Sequence, residues 1–305
     1  MFIRQIEYLV ALAELGHFSR AAAACHVSQP ALSSAIAKLE KELGLNLVRR
    51  GRQYEGLTED GQRVIGWARH MLSSYRALRQ EAGQGGRALA GTLRIGAIPT
   101  AMPVVPFLTA GARATYPGIA LTILSMASTE IVRRLDECDL DMGLTFLDER
   151  VLAGFQVHPL YREQYVLVAR DGAMFGGRAA LDWAEAASLP LCVLTPNMQS
   201  RQSVDTAFRQ AGVRPRIAVE TDSIFALYAQ VRFADVCAVV PHSLLSLIEL
   251  RQELAVVPLV PPLERAIGLV LRRHDPHPPV TAAVLGLALG VPLQARFDSL
   301  ISAIY

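Results

Sequence analysis

The first 44 residues contain three stretches in which apolar side chains recur at the spacing of an α-helix. The first stretch covers 2–15 and ends at Gly16, a residue type that commonly terminates helices. A second, short helix is predicted from Ser19, as its N-cap, to about Cys25. A third helix is predicted to begin at Ser28, and its apolar positions form one buried stripe: Leu32, Ile36, Leu39 and Leu43. The pattern predicts a small three-helix unit.

A short basic segment and then a long helix follow this unit. Residues 45–57 alternate in polarity and carry glycines and three arginines, a pattern that predicts a β-wing. Thr58 is placed to cap the long helix. Apolar residues recur on it with the spacing of a coiled-coil seam: Val64, Ala68, Met71, Tyr75 and Leu78. A lone helix would leave this seam in water, so we predict that it is a dimerisation surface. Glycines within 83–91 mark the end of the segment.

Beyond residue 91 the chain alternates between strand and helix patterns. Strands are predicted at 93–98, 120–126, 141–147, 163–170, 190–195, 216–220, 236–241 and 266–273. Helices are predicted at 103–115, 129–138, 200–211, 223–233, from about 243, and at 279–303. Such alternation predicts an α/β fold with a mainly parallel sheet. The late strand and helix indicate that the chain returns to the first of two subdomains.

Charge is unevenly distributed along the chain. Residues 1–90 carry a net charge of +4, whereas the remainder carries −2, so that the whole chain is at +2. A basic N-terminal segment on a slightly acidic body favours an anionic partner. No apolar run reaches the roughly 20 residues of a membrane span, and the N-terminus lacks a signal-peptide pattern. We therefore expect a cytoplasmic protein.

The four cysteines, Cys25, Cys138, Cys192 and Cys237, lie far apart in the sequence. They form no CxxC motif and no Cys/His cluster with metal-ligand spacing. The pattern is typical of buried thiols in a reducing compartment. We expect no metal site and no cofactor.

The polar face of the third helix carries short side chains suited to reading base edges. The residues at its start and opposite its buried stripe are Ser28, Gln29, Pro30, Ser33, Ser34, Ala37 and Lys38. Hydroxyl and amide groups at a helix N-terminus can approach a DNA groove closely, and the free N–H groups there attract phosphate. The arginines of the wing are candidates for backbone or minor-groove contacts: Arg49, Arg50 and Arg52. A solvated helix face beside a basic turn is the alternative interpretation.

The stretch FSRAAAACHVSQPALSSAIAKLEKELGLNLVRR, followed by LTEDGQ, strongly resembles the N-terminal domain of bacterial LysR-type transcriptional regulators. Its phenylalanine, alanine pair, SQPALS and LE-x-ELG-x-x-L elements match in order and spacing. The match departs from the family at Ser34, where many members carry arginine directly after SQPALS. The resemblance therefore leaves the operator preference of this chain open.

The resemblance also implies an architecture. A winged helix-turn-helix domain would cover 1–58, and a linker helix with its hinge would cover 59–91. The remainder, 92–305, would be an effector-binding domain that resembles type-2 periplasmic binding proteins. Its subdomain I would comprise about 92–161 and 266–305, and its subdomain II about 162–265. The implied assembly is a homotetramer on operator DNA that communicates with RNA polymerase.

In the family, a small-molecule effector sits between the two subdomains and alters transcription. The matching positions here are Pro99, Thr100, Ala101, Met102, Ser128, Thr129, Thr195, Asn197, Met198 and Gln199, with Phe146 and Thr221 as further lining residues. Hydroxyls and helix-start N–H groups suit a small organic anion. Each Ser or Thr can equally be a plain helix cap, and only Arg201 is placed to neutralise a charge. A neutral effector therefore stays open.

Other functions are weighed by their motifs. Asp222 and His242, with Ser223, Ser243 or Cys192, could be read as a catalytic triad. No G-x-S-x-G elbow, phosphate loop, zinc motif or complete dinucleotide fingerprint supports that reading, and we predict that the chain is not an enzyme. A regulator responsive to Cys or Met oxidation stays as one alternative. A solute-binding module with a helical domain that only dimerises is the other.

Overall fold

The computed structural model of the protein describes residues 1–50, 54–83, 89–148, 152–246, 254–273 and 276–302. The chain divides into two compact units. Unit 1 comprises Met1–Ala88 with Asp136–Asp139, and unit 2 comprises Leu89–Leu135 with Leu140–Tyr305. In the described residues, no single helix is long and apolar enough to cross a membrane, although one pair bent by 43° passes the same test jointly.

Unit 1 is a helical domain with a two-stranded wing. Its elements are α1 (Ile3–Leu15), α2 (Phe18–Ala24), α3 (Gln29–Leu43), β1 (Val48–Arg50), β2 (Tyr54–Leu57) and α4 (Glu59–Gly83). The predicted stripe of α3 is buried at Leu32, Ile36 and Leu39, each with 0% exposure, whereas Leu43 is exposed. Helix α2 begins two residues earlier than predicted, because His17 and not Ser19 is its N-cap: His17 Nδ1 accepts from the Ser19 N–H at 3.2 Å.

The wing is fixed to the helices by hydrogen bonds from the LE-x-ELG and LTEDGQ segments. Glu40 Oε1 accepts from the backbone N–H groups of Leu47 and Val48, at 2.9 and 3.1 Å. Thr58 Oγ1 caps α4 by accepting from the Gly61 N–H at 2.9 Å. A Cβ atom on Gly61 would lie 2.0 Å from the Leu47 carbonyl oxygen, so only glycine fits there.

Helix α4 divides its apolar residues between two surfaces. Ile65, Ala68 and Leu72 are buried in the core of the helix-turn-helix. The structure thus corrects the prediction for Ala68: its side chain, 3% exposed, packs within its own domain and is not available to a second chain. Trp67 and Leu78 are 78% and 65% exposed. The sequence period predicted the apolar positions of α4. It did not show which of them pack inside the helix-turn-helix domain and which are exposed to solvent.

Unit 2 contains the predicted alternation of strands and helices. Its strands are β3 (Ala90–Ala97), β4 (Gly118–Ser125), β5 (Met142–Phe146), β6 (Phe155–Ala169), β7 (Leu181–Asp182), β8 (Leu191–Leu194), β9 (Ile217–Thr221), β10 (Ala238–Pro241), β11 (Ala255–Val260) and β12 (Glu264–Arg272). Its α-helices are α5 (Val105–Thr115), α6 (Ser128–Asp136), α7 (Trp183–Ser188), α8 (Gln199–Gln210), α9 (Ile224–Phe233), α10 (Pro279–Leu289) and α11 (Leu293–Ser302). Short 3-10 helices lie at Pro99–Val104, Gly172–Phe175 and His242–Ser246.

The sheet is mixed, whereas the alternating pattern predicted a mainly parallel one. Strand β3 pairs in parallel with β4 and β5, but β12 is antiparallel to both β5 and β6. The long strand β6 then continues and pairs antiparallel with β10 and β11. Strand β6 therefore belongs to both subdomains and crosses between them. Strands β8 and β9 form a separate parallel pair.

Several further elements differ from the sequence prediction, and β7 and α7 were not predicted at all. Strand β11 was missed, although it pairs along Ala255–Pro258 with the end of β6. The final helix, predicted as continuous, is broken after Leu289, because Gly290 and Pro292 interrupt its backbone hydrogen bonding. The predicted helix from about 243 is a 3-10 helix as far as Ser246, and residues 247–253 lie outside the described chain.

Candidate DNA interface and effector site

The start of α3 presents a row of polar side chains to solvent. Ser28 caps the helix, and its Oγ accepts from the Ala31 N–H at 3.4 Å. The predicted DNA-contacting side chains that are exposed are Ser28, Gln29, Pro30, Ser34, Lys38 and Arg49, while Ser33 is half-buried. Because the buried stripe anchors α3 in the core, these side chains can lie against a DNA groove without disturbing the domain.

Gln29 is held in place by the preceding helix. Ser19 Oγ donates a hydrogen bond to Gln29 Oε1 at 2.6 Å. One acceptor position of the amide oxygen is therefore used, and the amide NH₂ group remains a donor that Gln29 can offer to a base edge. This contact joins α2 to the first turn of α3 and gives the predicted reading residue a defined orientation.

On the wing, the guanidinium of Arg49 lies close to Gly56. Gly56 has φ +107°, and a Cβ atom there would lie 3.1 Å from Arg49 Nη2. The backbone conformation and this close approach both favour glycine. Strand β1 includes the backbone of Arg50; the side chain of Arg50 and all of Arg52 lie outside the described residues.

In unit 2, a cavity of about 180 Å³ opens where the ends of β5, α6 and α8 meet. It brings together five of the predicted effector residues: Ser128, Thr129, Phe146, Asn197 and Gln199. The remaining walls are Ala127, Val132, Thr145, Asp148, Leu152 and Gln202. Thr145 Oγ1 donates to Ser128 Oγ at 2.8 Å, whereas Thr129 is exposed to the cavity. Hydroxyl and amide groups from both subdomains thus converge on one space.

Thr100 lies in a smaller recess of about 20 Å³, together with Tyr165, Ser200 and Arg201. Ala101 is fully buried, and its neighbours Pro99 and Met102 are half-buried on the same 3-10 helix. Pro99, Ala101 and Met102 line neither the larger cavity nor the smaller recess. Of this 3-10 turn, Thr100 alone lines one of these two spaces.

The other predicted positions take structural roles. Thr221 Oγ1 accepts from the Ser223 N–H at 3.2 Å, and Met198 packs against the core formed by β8 and α9. Thr195 donates its backbone N–H to the Thr221 carbonyl at 3.0 Å, while its buried hydroxyl has no hydrogen-bond partner in the described chain. These residues shape the loop before α8 more than they face the cavity.

Arg201 is buried and already paired. Its Nε atom bonds Asp205 Oδ1 at 2.8 Å, and its Nη1 atom bonds Glu220 Oε2 at 3.1 Å and the carbonyl of Leu194. Two carboxylates therefore neutralise this guanidinium, which ties α8 to the neighbouring strands. Arg201 therefore does not supply an unpaired positive charge to an anionic ligand, the role that the sequence analysis considered for it.

A different arginine, missed in the sequence, lies beside the cavity wall. Arg265 Nη1 donates to Ser203 Oγ at 2.5 Å, and its guanidinium carbon is 4.6 Å from the centre of the Phe146 ring. Across the ladder, Arg265 is the direct partner of Glu163. No local motif signals this pair, because its two residues lie on strands that are distant in the chain.

Glu163 is fully buried between the phenols of Tyr161 and Tyr165, which lie on the same face of β6. Burial raises the pKa of Glu163 to about 8, against the opposing influence of Tyr165 and Arg265. Neither carboxyl oxygen has a hydrogen-bond partner of good geometry in the described chain. Burial also raises the pKa of both tyrosines, and the nearby Glu163 adds to it. With a pKa of about 8, the carboxyl group is mainly protonated at pH 7.

His242, one member of the catalytic triad that the sequence suggested, makes a different contact. His242 is buried, and its Nδ1 accepts from the Gln164 N–H at 2.9 Å. Burial lowers the pKa of His242, so the ring is neutral. The described residues contain no group of three His, Cys, Asp or Glu side chains placed to hold a metal ion.

Cys192 and Cys237 are neighbours in the backbone but face opposite cores. The Cys192 N–H bonds the Cys237 carbonyl at 2.7 Å, and the ladder pairs Leu191 with Cys237. This offset of one residue turns the two side chains to opposite faces, and each thiol packs in a different hydrophobic cluster. Burial raises both thiol pKa values to about 11. Neither thiol is activated, and the pair cannot form a disulfide without rearrangement.

Comparison with known protein families decides what these two units are. Residues 3–62 match the bacterial regulatory helix-turn-helix proteins of the lysR family, and residues 86–291 match the LysR substrate binding domain. The chain belongs to the LysR family. It is a DNA-binding transcriptional regulator, as its relatives are, and not an enzyme. The helical unit is therefore a DNA-binding domain, which removes the alternative of a solute-binding module that only dimerises.

Relatives of this LysR-type protein cover its whole length. The DNA-binding transcriptional dual regulator OxyR of Escherichia coli is 30% identical over 306 residues, covering 100% of this chain and 95% of its own. The SDS degradation transcriptional activation protein of a Pseudomonas strain is 32% identical over 295 residues, covering 94% and 95%. A solved full-length OxyR from Pseudomonas aeruginosa, with a cysteine changed to aspartate, has a TM-score of 0.77 at 26% identity, covering 96% and 95%.

Proposed function

We propose that this regulator alters its contacts with operator DNA when a small-molecule effector occupies the cavity between the subdomains of unit 2. One observation carries the proposal: hydroxyl and amide groups of α6 and α8, from opposite sides, line one cavity of about 180 Å³. A ligand held from both sides stabilises the closed arrangement of the subdomains. Because β6 runs through both subdomains, such a closure changes the geometry of the whole unit.

A titration with two readouts tests this proposal. Metabolites that raise the melting temperature of the purified protein are added to a footprinting assay on the promoter region beside its own gene. The proposal expects a compound that both stabilises the protein and changes the footprint. Thr129→Val is expected to weaken this response while the footprint without effector stays intact, because Thr129 lines the cavity. An unchanged titration in this variant contradicts the site.

Redox control is a second candidate, because several relatives carry the name hydrogen peroxide-inducible genes activator. Cys192 and Cys237 argue against this candidate, since both thiols are buried with raised pKa values, whereas Cys138 is half-buried and stays a candidate for oxidation. Cys25 is half-buried, and burial together with Glu7 and Glu14 raises its pKa as well. Footprints with and without peroxide separate the two functions: a shift that a Cys→Ser variant abolishes supports redox control, and identical footprints contradict it.

For DNA recognition we propose that Gln29 and Ser33 read base edges, with Ser28, Pro30, Ser34 and Lys38 against the groove and Arg49 on the backbone. All of these side chains except the half-buried Ser33 are exposed at the start of α3 and on the wing, which supports this arrangement. Arg50 and Arg52 are proposed as further backbone contacts, on sequence grounds alone. Binding to chromosomal DNA implies a cytoplasmic protein, and regulation of transcription implies communication with RNA polymerase.

For assembly we propose a homodimer through α4 and a homotetramer of two dimers. The exposed residues Trp67, Met71 and Leu78 fall within about 40° of one another around the helix at 100° per residue. Val64 and Tyr75 are half-buried beside this stripe. An apolar stripe of this kind favours a second helix as its partner.

A further inference from the structure

A buried acid and a cation face each other where the two subdomains of unit 2 meet. Glu163 and Arg265 are direct partners on the ladder between β6 and β12, and from Tyr165 onward β6 pairs with β10 and β11 instead. Opposite residues of such a ladder have Cβ atoms about 5 Å apart, within reach of an ion pair. The structure forms none, because neither carboxyl oxygen of Glu163 has a hydrogen-bond partner in the described chain.

Arg265 instead connects the subdomains. Its Nη1 atom donates to Ser203 Oγ on α8 at 2.5 Å, and its guanidinium carbon lies 4.6 Å from the centre of the Phe146 ring at the end of β5. Ser203 Oγ in turn donates to the carbonyl of Gln199 at 3.0 Å, so that its hydrogen is used within α8 and the oxygen is left as the acceptor for Arg265. The guanidinium thus joins β5 of subdomain I to α8 of subdomain II.

The titratable groups that face Glu163 come from three elements. Tyr161 and Tyr165 lie on its own strand, Arg265 lies on β12, and His242 lies on the 3-10 helix that packs against β6. Burial raises the pKa of both tyrosines well above its usual value and lowers the pKa of His242, so these three groups stay neutral between pH 7 and 9. Arg265 stays a cation. Glu163, whose pKa burial raises to about 8, is therefore the group of this cluster that changes charge in that range.

Helix α8 brings one further cation to this region. Arg201 lines a small recess together with Tyr165. It forms ion pairs with Asp205 and Glu220, at 2.8 and 3.1 Å. Arg201 is therefore neutralised by its own partners and does not compete with Arg265 for the carboxyl group.

The protonation state of Glu163 decides which acceptor Arg265 prefers. A protonated carboxyl group is a neutral acceptor, as is the hydroxyl of Ser203. An ionised carboxylate is a stronger acceptor, because charge-assisted hydrogen bonds are about twice as strong as neutral ones. A buried carboxylate without a partner is also costly, and pairing with a guanidinium offsets that cost. Pairing lowers the pKa of the acid, so loss of the proton and movement of Arg265 favour each other.

We propose that Glu163, Arg265 and Ser203 form a pH-sensitive latch between the subdomains, which is closed while Glu163 is protonated and released when Glu163 ionises. Above about pH 8 the carboxyl group gives its proton to solvent and binds Arg265, and Ser203 loses its bond from β12. Gln199 and Gln202 of the cavity wall lie on α8, so the release also loosens one side of the cavity. The latch operates without an effector and goes beyond the proposed function.

Hydrogen exchange measured by mass spectrometry on the purified full-length protein tests the latch. Wild type and Glu163→Gln are compared at pH 6.5, 7.5, 8.5 and 9, because the intrinsic pH dependence of exchange cancels between two proteins at the same pH. Peptides from α8 report the latch, and peptides from α5 report the overall stability of the unit. We expect equal exchange in the two proteins at pH 6.5. At pH 9, α8 of the wild type should exchange about fivefold faster than α8 of the variant, beyond any change in α5.

Two results of this comparison overturn the proposal. Equal exchange of α8 in both proteins at pH 9 means that ionisation of Glu163 does not release the helix. The same acceleration in α8 and α5 means that the whole unit loses stability and that no latch is present.

Ser203→Ala removes the acceptor on α8 and decides the question if Glu163→Gln does not fold. After correction for the intrinsic rate, its α8 is expected to exchange at pH 6.5 as fast as that of the wild type at pH 9, with no further change as the pH rises. Thr206→Ala is the matched control, since its hydroxyl lies on the same helix and bonds the Gln202 carbonyl and Arg209. This control should keep the wild-type response. A wild-type response in Ser203→Ala overturns the latch.

Discussion

Glu163 and Arg265 lie directly opposite each other on β6 and β12 and do not form an ion pair. Opposite residues of an antiparallel ladder have Cβ atoms about 5 Å apart, a distance at which Glu and Arg commonly bond. Here Arg265 turns to Ser203 and Phe146, and Glu163 stays between two tyrosines. Strand β6, which joins the subdomains, thus carries a buried acid, and its neighbour β12 carries a cation that forms no ion pair with this acid.

The buried acid makes stability depend on pH. Glu163 has a pKa of about 8 in the folded protein, against 4.5 for the free group. Between these values the folded state holds a proton that the unfolded state has released. The free energy of unfolding therefore falls as pH rises through this window, by about 1.4 kcal/mol per pH unit.

Glu163→Gln is expected to remove this dependence, because the amide is neutral at every pH. Urea denaturation at pH 5, 6, 7 and 8 measures it: the variant should gain on the wild type as pH increases. Glu264→Gln is the control, since that carboxylate is exposed in a surface ion pair on the same ladder. Parallel stability curves for Glu163→Gln and the wild type would contradict the neutral state of Glu163.

The sequence predicts the elements of this protein better than their pairing. The stripe of α3 follows from a helical period, and the structure buries Leu32, Ile36 and Leu39 accordingly. A hydrophobic period does not reveal that β12 runs antiparallel to its neighbours, because strand pairing depends on β5 and β6, which are distant in the chain. Strand β11 escaped because its apolar run is interrupted by Pro258.

The site shows the same division. The family resemblance pointed to Ser128, Thr129 and Gln199, and the structure places them around one cavity. Arg265 and Glu163 carried no motif, since a cross-strand pair becomes visible only when two strands are aligned. The raised pKa of Glu163 arises from burial, which depends on the packed structure and not on the residues adjacent in the sequence.

Gln29 is expected to contribute sequence-specific DNA affinity. Its amide oxygen accepts from Ser19, which holds the side chain in place, and its NH₂ group remains available as a donor. Gln29→Ala should weaken binding to the operator by about 1–3 kcal/mol and leave non-specific binding nearly unchanged. Anisotropy titrations with operator and scrambled duplexes measure both. Equal losses on the two duplexes would mean that Gln29 contacts the backbone.

Arg49, whose guanidinium lies beside Gly56 on the wing, is expected to bind the DNA backbone, in contrast to Gln29. Arg49→Gln should weaken binding to every duplex and lower the slope of log K against log salt by about 1. A loss confined to the operator would contradict a backbone contact.

Ser34 stands where many family members carry arginine, and its side chain is exposed. Ser34→Arg should strengthen binding to all duplexes and raise the salt slope by about 0.9 for one added phosphate contact. If the variant instead changes which operator bases are protected, position 34 reads sequence directly. Footprints and salt titrations of the two proteins on the same promoter distinguish the outcomes.

Leu78 is expected to lie in the dimer contact of α4, because 65% of it is exposed on the same stripe as Trp67. Leu78→Glu places like charges against each other in a symmetric pair and should shift the protein toward monomer. Sedimentation velocity over a concentration series measures the shift. Gln62→Glu is the control, since this exposed residue lies about 160° around the helix from Leu78. An unchanged association constant in Leu78→Glu would exclude this stripe from the contact.

Thr129 offers a hydroxyl to the cavity that the described structure does not use for a helix cap or a bond to Thr145. Thr129→Val keeps the shape of the side chain and removes the hydroxyl alone. We expect the binding of a stabilising effector to weaken by about tenfold at an unchanged melting temperature of the free protein. Thr122→Val, on the exposed strand β4, is the matched control. Calorimetry of both variants decides: equal affinities would place the effector away from α6, because losing a used hydrogen bond cannot leave binding unaltered.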